Sequence, residues 1–378
     1  MSMEKARNIP YHIVVAKFGT SLLTGGANHL NPDIMARLVS QISALHHDGR
    51  EIVIVTSGAV AAGRERLGIT ERIKGIPYKQ MLAAVGQGRL MSIYEKLFDE
   101  HNIPVAQALL TKRDLMDRAG YLNTRNTLLA LLERRVIPVV NENDVVAADE
   151  MHDMKFGDND NLSAMVASLV EADLLMILTD IDGLYTADPH HDPDARLISV
   201  VESIDDDIER ICSRTLSETG TGGMITKIEA AKLATSCGIT VIIANGRTPD
   251  IITRLAEGEA IGTRFVPAAS RLESRKRWML SGLAIKGTLV IDEGAARALT
   301  EENRSLLPSG IRAVSGSFQQ GDIVDIFDMK GTKLGSGITN YSSDDIEVIR
   351  GHHSGQIAGL LGYDYGAEVV HRNNLVVI

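Results

Sequence analysis

Only two cysteines, one tryptophan and ten prolines occur among 378 residues, and aromatic side chains make up just 4% of the chain. The two cysteines, Cys212 and Cys237, stand in no metal-binding or redox spacing, which excludes a disulfide scaffold and a cysteine-held zinc site. Both read as ordinary reduced thiols. Long apolar runs are missing too: each stretch is broken by charge or glycine well short of the ~20 residues a membrane span needs. Met1 to Pro10 carries Glu4, Lys5 and Arg7 without an apolar stretch or cleavage site, so it does not read as a secretory leader. The expected compartment is the cytoplasm. An excess of positive charge is also lacking. The formal net charge is −10 and the pI about 5.6, which speaks against a nucleic-acid partner. Finally, there is no G-x-x-x-x-G-K-[ST] phosphate loop and no G-x-G-x-x-G after the first apolar run. The second absence removes a dinucleotide oxidoreductase from consideration.

Hydrophobic residues, by contrast, reach 44%, enough for a sizeable core, and the length suggests two or three domains. Residues 12 to 265 alternate β-branched apolar runs with helical patterns. The clearest runs are Ile13 to Val15, Ile52 to Val55, Ile137 to Val140, Leu174 to Leu178 and Val241 to Ile243. Several are continuous rather than alternating, as expected of strands covered on both faces. Between the first two, Asn31 is placed to cap a helix, Pro32 fits its first turn and Gly49 follows its end. Ile34, Leu38, Ile42 and Leu45 form its apolar stripe. Further helices are expected over Tyr121 to Arg135 and Ile228 to Cys237. This alternation predicts an α/β fold, a mainly parallel sheet in an αβα sandwich. From Arg271 to Arg277 five of seven residues are charged, as in a linker. Beyond it, Gly287 to Ile291, Gly321 to Phe327 and a turn at Asp328 to Gly331 predict a small β-rich domain. The expected division is 8–267, a linker over 268–279, and 280–378.

Five segments carry chemistry. Val15-Ala-Lys17-Phe-Gly19-Thr-Ser21 places a lysine where a parallel strand ends, the usual ligand edge. Val55-Thr-Ser57-Gly58-Ala59 runs from a strand through a glycine turn into a helix of small residues, an arrangement suited to anions. Small residues there would serve close packing equally well. Asn141-Glu-Asn-Asp144 and Gly157-Asp158-Asn159-Asp160-Asn161 set two dense polar clusters at element ends, suited to the α-amino and α-carboxyl groups of an amino acid. Leu178-Thr179-Asp180-Ile-Asp182-Gly183 opens a buried strand into a turn. Gly220-Thr221-Gly222-Gly223-Met224-Ile225-Thr226-Lys227 feeds a helix and ends in lysine, as a phosphate cradle would.

In this order and spacing the five segments resemble the amino acid kinase family over nearly the whole chain. Within that family they resemble specifically the members that phosphorylate free glutamate. Ser305 to Ile311, Asn340 to Ser343 and Val370 to Leu375 resemble the PUA domain those members append. Ile225 stands where the family often has a smaller residue. The resemblance implies transfer of the γ-phosphate of ATP, with Mg²⁺, to the γ-carboxylate of L-glutamate. It assigns catalysis to Lys17, Lys227 and Asp160, the carboxylate orienting two mutually repelling cations. Ser57, Asp144 and Asn159 would bind glutamate, with Asn141 and Asp158 in support, and Gly19 and Gly58 would donate backbone N–H groups. Lys17, Thr179, Asp180 and Thr221, Gly222, Gly223, Met224, Ile225, Thr226 and Lys227 would hold the nucleotide. No dedicated protein ligand for the metal is named, because Mg²⁺ keeps most of its water. Also implied are proline biosynthesis, proline as feedback inhibitor, a glutamyl phosphate reductase as pathway partner, and a homo-oligomer.

N-acetylglutamate, aspartate and carbamate are alternative acceptors. RNA binding by the tail is the alternative from another class. The tail's 8 Lys/Arg against 12 Asp/Glu disfavours it, because phosphate neutralisation dominates RNA affinity. The doublets His46-His47, His190-His191 and His352-His353 are expected at the surface, Asp205 to Asp207 at a helix start, and Arg275 to Arg277 in the solvated linker.

Overall fold

A computed structural model describes residues 10–70, 75–147, 159–189, 191–214, 223–267, 285–302 and 304–377. The chain divides by its contacts into two units, Met1–Leu115 with Arg125–Arg271, and Met116–Thr124 with Leu272–Ile378. The expected linker, 268–279, lies outside the described residues.

The first unit is built on eight strands: β1 (Ile13–Phe18), β2 (Glu51–Val55), β3 (Val105–Leu110), β4 (Ile137–Glu142), β5 (Leu174–Thr179), β6 (Val200–Val201), β7 (Thr240–Asn245) and β8 (Thr263–Phe265). They form one sheet in the order β3-β4-β2-β1-β5-β7-β8-β6. Every pairing is parallel except β7 with β8, as the alternating pattern implies. The five apolar runs are β1, β2, β4, β5 and β7. The edge strand β3, more exposed and less apolar, adds a sixth long strand that the run pattern did not single out.

Alternation along β1 decides what each face does. Val14, Ala16 and Phe18 join a core with Ile52, Ile54, Met176 and Leu178 beneath the helix Pro32–His47. Lys17 therefore points to the opposite face, where the helix Asn159–Leu169 packs on β1 and on the helix Met224–Ser236. The helix Pro32–His47 starts as its sequence dictates: the Asn31 carboxamide accepts from the Asp33 and Ile34 N–H groups. Gly49 follows its end with φ +95°. The helix expected from Tyr121 covers Arg118–Glu133. The one expected from Ile228 begins four residues sooner, at Met224, because its first turn lies within the glycine-rich run. Asp205 caps the helix Asp206–Arg214 through the Asp207 and Ile208 N–H groups.

One histidine differs from expectation. His46 is buried and its Nε2 lies 3.0 Å from the Arg135 carbonyl oxygen, because position 46 falls on the core side of its helix. Burial, with the Arg135 charge, lowers its pKa. His47, His191, His352 and His353 are exposed, and His190 lies outside the described residues.

The second unit holds β9 (Gly287–Ile291), β10 (Ile311–Gly316), β11 (Ile323–Phe327), β12 (Lys333–Ile338) and β13 (Leu375–Val377). Their order is β10-β9-β11-β12-β13. The expected turn closes the β11–β12 hairpin: Asp328 accepts from the Lys330 and Thr332 N–H groups. Leu289, Ile291, Phe318, Val324, Ile326 and Tyr341 are among its buried core.

Candidate active site

Chain order in the sheet reverses direction at β1, which lies between β2 and β5. In open parallel sheets such a switch point, at the carboxyl ends of the strands, opens a crevice for ligands. Here β1 ends at Lys17 and Phe18, β2 runs into Thr56, Ser57 and Gly58, β4 ends in Asn141 and Glu142, and β5 ends at Thr179. Four of the five sequence segments thus meet the same edge. The fifth, ending in Lys227, arrives on the helix Met224–Ser236.

On the Lys17 face three charges lie together out of water. Asp160 is 0% exposed, Lys17 4% and Lys227 5%. Asp160 Oδ1 accepts a short hydrogen bond from Lys17 Nζ. Its Oδ2 lies 3.1 Å from Lys227 Nζ and 3.1 Å from the Thr226 hydroxyl. Burial alone would raise the Asp160 pKa, but the two ammonium groups outweigh it and hold the carboxyl at about 2. The arrangement follows from local structure. Asp160 sits in the first turn of its helix, where a carboxylate suits the dipole. Thr226 and Lys227 sit in the first turn of theirs, behind Gly223, which supplies no side-chain cap. Together the three charged side chains sum to +1, and the N-terminal ends of both helices add partial positive charge. An anion such as a phosphate chain is the electrostatic complement.

Beside this triad lies a neutral polar cluster. Asn159 Nδ2 donates toward the Thr56 carbonyl (2.9 Å), Ser57 Oγ (2.8 Å) and Asn141 Oδ1 (3.1 Å). Asn141 is buried and its Nδ2 donates to Gln87 Oε1 at 2.8 Å. Thr56 is fixed from below: its Oγ1 lies 2.8 Å from Tyr94 OH, and burial raises the pKa of that phenol. Asn159 Oδ1 and Gln87 Nε2 are buried without a hydrogen-bond partner among the described residues.

Glycines set how closely these parts approach. Gly58 holds φ +101°, and a Cβ there would lie 2.9 Å from Leu30 Cδ2. The helix it opens, Ala59–Leu67, touches the helix Ile76–Asp99 backbone to backbone. A Cβ on Gly86 would fall 1.8 Å from the Ala59 carbonyl oxygen, and one on Gly63 1.9 Å from that of Leu82. Small residues here thus serve packing, and they also seat Gln87 near Asn141.

The structure therefore brings together Lys17, Asp160, Thr226 and Lys227, and separately Ser57, Asn141 and Asn159. Asp144 is half-buried in the turn beyond β4. Thr179 closes β5 with its hydroxyl 3.1 Å from Asp180 Oδ1, and its carbonyl accepts from Gly246 N–H at 2.8 Å. Gly223, Met224 and Ile225 lie at the helix start. Asp158, Thr221 and Gly222 lie outside the described residues. One expectation needs correcting: the Gly19 N–H, expected as a backbone donor for a ligand, is engaged by the Leu178 carbonyl at 3.2 Å. That bond extends the β1–β5 pairing by one residue. Gln87 and Tyr94 were missed by sequence reasoning, since neither lies in a glycine-rich or polar run.

The profile of the amino acid kinase family matches residues 12–245, and that of the PUA domain matches residues 287–361. A protein of Dehalococcoides mccartyi (strain CBDB1) named glutamate 5-kinase is 57% identical over 97% of this chain and 99% of its own length. Relatives from other organisms bear the same name. That of Herpetosiphon aurantiacus is 49% identical, covering 96% of this chain and 97% of its own. That of Deinococcus radiodurans is 50% identical, covering 97% and 99%. Among solved structures, a UMP kinase from Bacillus anthracis has a TM-score of 0.47 at 17% identity, covering 69% of this chain and 98% of that one.

Proposed function

This chain belongs to the amino acid kinase family and carries a PUA domain, and from that premise we propose how it works on glutamate. It transfers the γ-phosphate of ATP to the γ-carboxylate of L-glutamate, giving L-glutamyl 5-phosphate, the first step of proline biosynthesis. The observation that carries the site assignment is the buried Lys17–Asp160–Lys227 triad at the switch point, beside the amide cluster of Ser57, Asn141 and Asn159.

In this reading MgATP lays its phosphates along the helix start at Gly223 to Lys227, with Thr221, Gly222, Thr179 and Asp180 completing the nucleotide site. Mg²⁺ would enter with the nucleotide and supply charge neutralisation of its phosphates, and no protein side chain is assigned to hold it. Lys17 and Lys227 take the transferring phosphoryl group from two sides and oppose its charge in the transition state. Asp160 fixes both ammonium groups, so little reorganisation is needed when the phosphoryl group moves. Asp144 and Asp158 join the amide cluster in binding glutamate. The γ-carboxylate is already ionised at neutral pH, so no general base is required. A carboxylate oxygen bonds to the γ-phosphorus as the bond from that phosphorus to the bridging oxygen of ADP breaks, and ADP departs. The product is a mixed anhydride, prone to hydrolysis.

The kinase domain is assigned to 8–267 and the PUA domain to 280–378, joined by 268–279. By the same reading the enzyme is a cytoplasmic homo-oligomer, inhibited by proline, whose product passes to a glutamyl phosphate reductase. Among the described residues no helix is long and apolar enough to cross a membrane. Trapping the acyl phosphate with hydroxylamine, while following ADP release, tests the proposal. Hydroxamate formed with glutamate supports it; formation only with aspartate or N-acetylglutamate overturns it.

A further inference from the structure

Three carboxamides form a directional chain at the site. The Asn159 amide nitrogen is committed to the Thr56 carbonyl, Ser57 Oγ and Asn141 Oδ1. Turned over, Asn159 would set its own oxygen against two acceptor oxygens, so its orientation is fixed by the network. Asn141 is different. Its oxygen accepts from Asn159, but that one contact would tolerate rotation of the amide if nothing held the other end. Gln87 holds it: Oε1 accepts from Asn141 Nδ2 at 2.8 Å, across 54 residues of sequence. At the far end, Asn159 Oδ1 is buried and has no hydrogen-bond partner among the described residues. Buried polar atoms are rarely left so, and one at a binding site points to a ligand donor.

From this geometry we infer that Gln87 is a positioning residue for the amino-acid substrate. It locks the Asn141 amide, and Asn141 in turn braces Asn159 in the orientation that offers Oδ1 to the substrate's ammonium group. Gln87 touches no reacting atom and contributes nothing to phosphoryl transfer itself. Its effect falls on the affinity for the amino acid. The inference rests on the glutamate reading given above, and its test separates the two.

The variant is Gln87→Met, similar in shape but without an amide. Losing the acceptor leaves Asn141 Nδ2 buried and unpaired, and one such loss corresponds to roughly tenfold in binding. In the hydroxylamine assay KM for glutamate should rise about tenfold, while kcat and KM for ATP stay within about twofold. In an Asn141→Ala background the same change should cost nothing further, because the residue through which Gln87 acts is gone. A purely structural role would lower stability and turnover equally in both backgrounds. If Gln87→Met yields too little folded protein, Gln87→Asn, one methylene too short to reach Asn141, takes its place. An unchanged KM for glutamate, or an equal penalty in both backgrounds, overturns the inference. Wild-type protein inert toward glutamate would instead overturn the reading on which it rests.

Discussion

Replacing Asp160 by asparagine removes one negative charge from between two buried ammonium groups while preserving shape. At an effective dielectric of about 20, a pair at this separation interacts by about 4 kcal/mol. Breaking a buried pair by removing one partner typically costs about 3–5 kcal/mol. For a folding unit of roughly 260 residues each kcal/mol lowers Tm by about 2 °C, so Asp160→Asn should melt about 6–10 °C below wild type. Nucleotide phosphates would supply part of the missing charge. A non-hydrolysable ATP analogue with Mg²⁺ should therefore raise the variant's Tm by more than it raises that of wild type. Turnover should fall about 10²-fold, because the lysines lose their common anchor, whereas KM for ATP should fall, because the unopposed ammonium groups attract the phosphates more strongly. Thermal melts with and without nucleotide, alongside steady-state kinetics, read all of this. A variant melting within 2 °C of wild type (against the ~6 °C minimum) and turning over normally would refute the reasoning.

Two further outcomes follow from the same structure. In Gly86→Ala the new methyl group would meet the Ala59 backbone oxygen at 1.8 Å, forcing two helices apart at a cost of about 1–3 kcal/mol or more. Because these helices carry Ser57 and Gly58 on one side and Gln87 on the other, KM for glutamate should rise together with the loss of Tm. A Tm equal to wild type would contradict the packing. For acid stability, Asp160 falls from an ordinary 3.8 to about 2 on folding. A depressed carboxylate contributes stability above its unfolded pKa and loses it as pH falls through the folded one, here between about pH 4 and pH 2. Chemical denaturation at pH 5 and pH 3 should show a steeper loss for wild type than for Asp160→Asn.

Much of the fold can be read from sequence because β-branched runs and caps are local signals. Asn31 and Asp205 cap where they are expected, and five apolar runs become five parallel strands. The triad was also legible, since Lys17, Asp160 and Lys227 each lie in a recognisable segment. Gln87 was not. It lies within a long helix of mixed polarity, and its importance arises only from a partner in another strand. The start of the helix at Met224 was hidden because glycines weaken helical pattern without preventing a helix from beginning behind them. His46 was misplaced because pairing it with His47 obscured that adjacent helical positions face different ways. The Gly19 N–H reads as a free donor in the sequence because strand pairing beyond Phe18 depends on the neighbouring strand β5, which no local pattern reveals.

If Lys17 and Lys227 neutralise the transferring phosphoryl group, each must matter to turnover separately. Lys17→Met and Lys227→Met should each lower kcat for glutamyl phosphate formation by about 10²–10³-fold, equivalent to ~3–4 kcal/mol. Either variant retaining half of wild-type turnover would contradict the assignment.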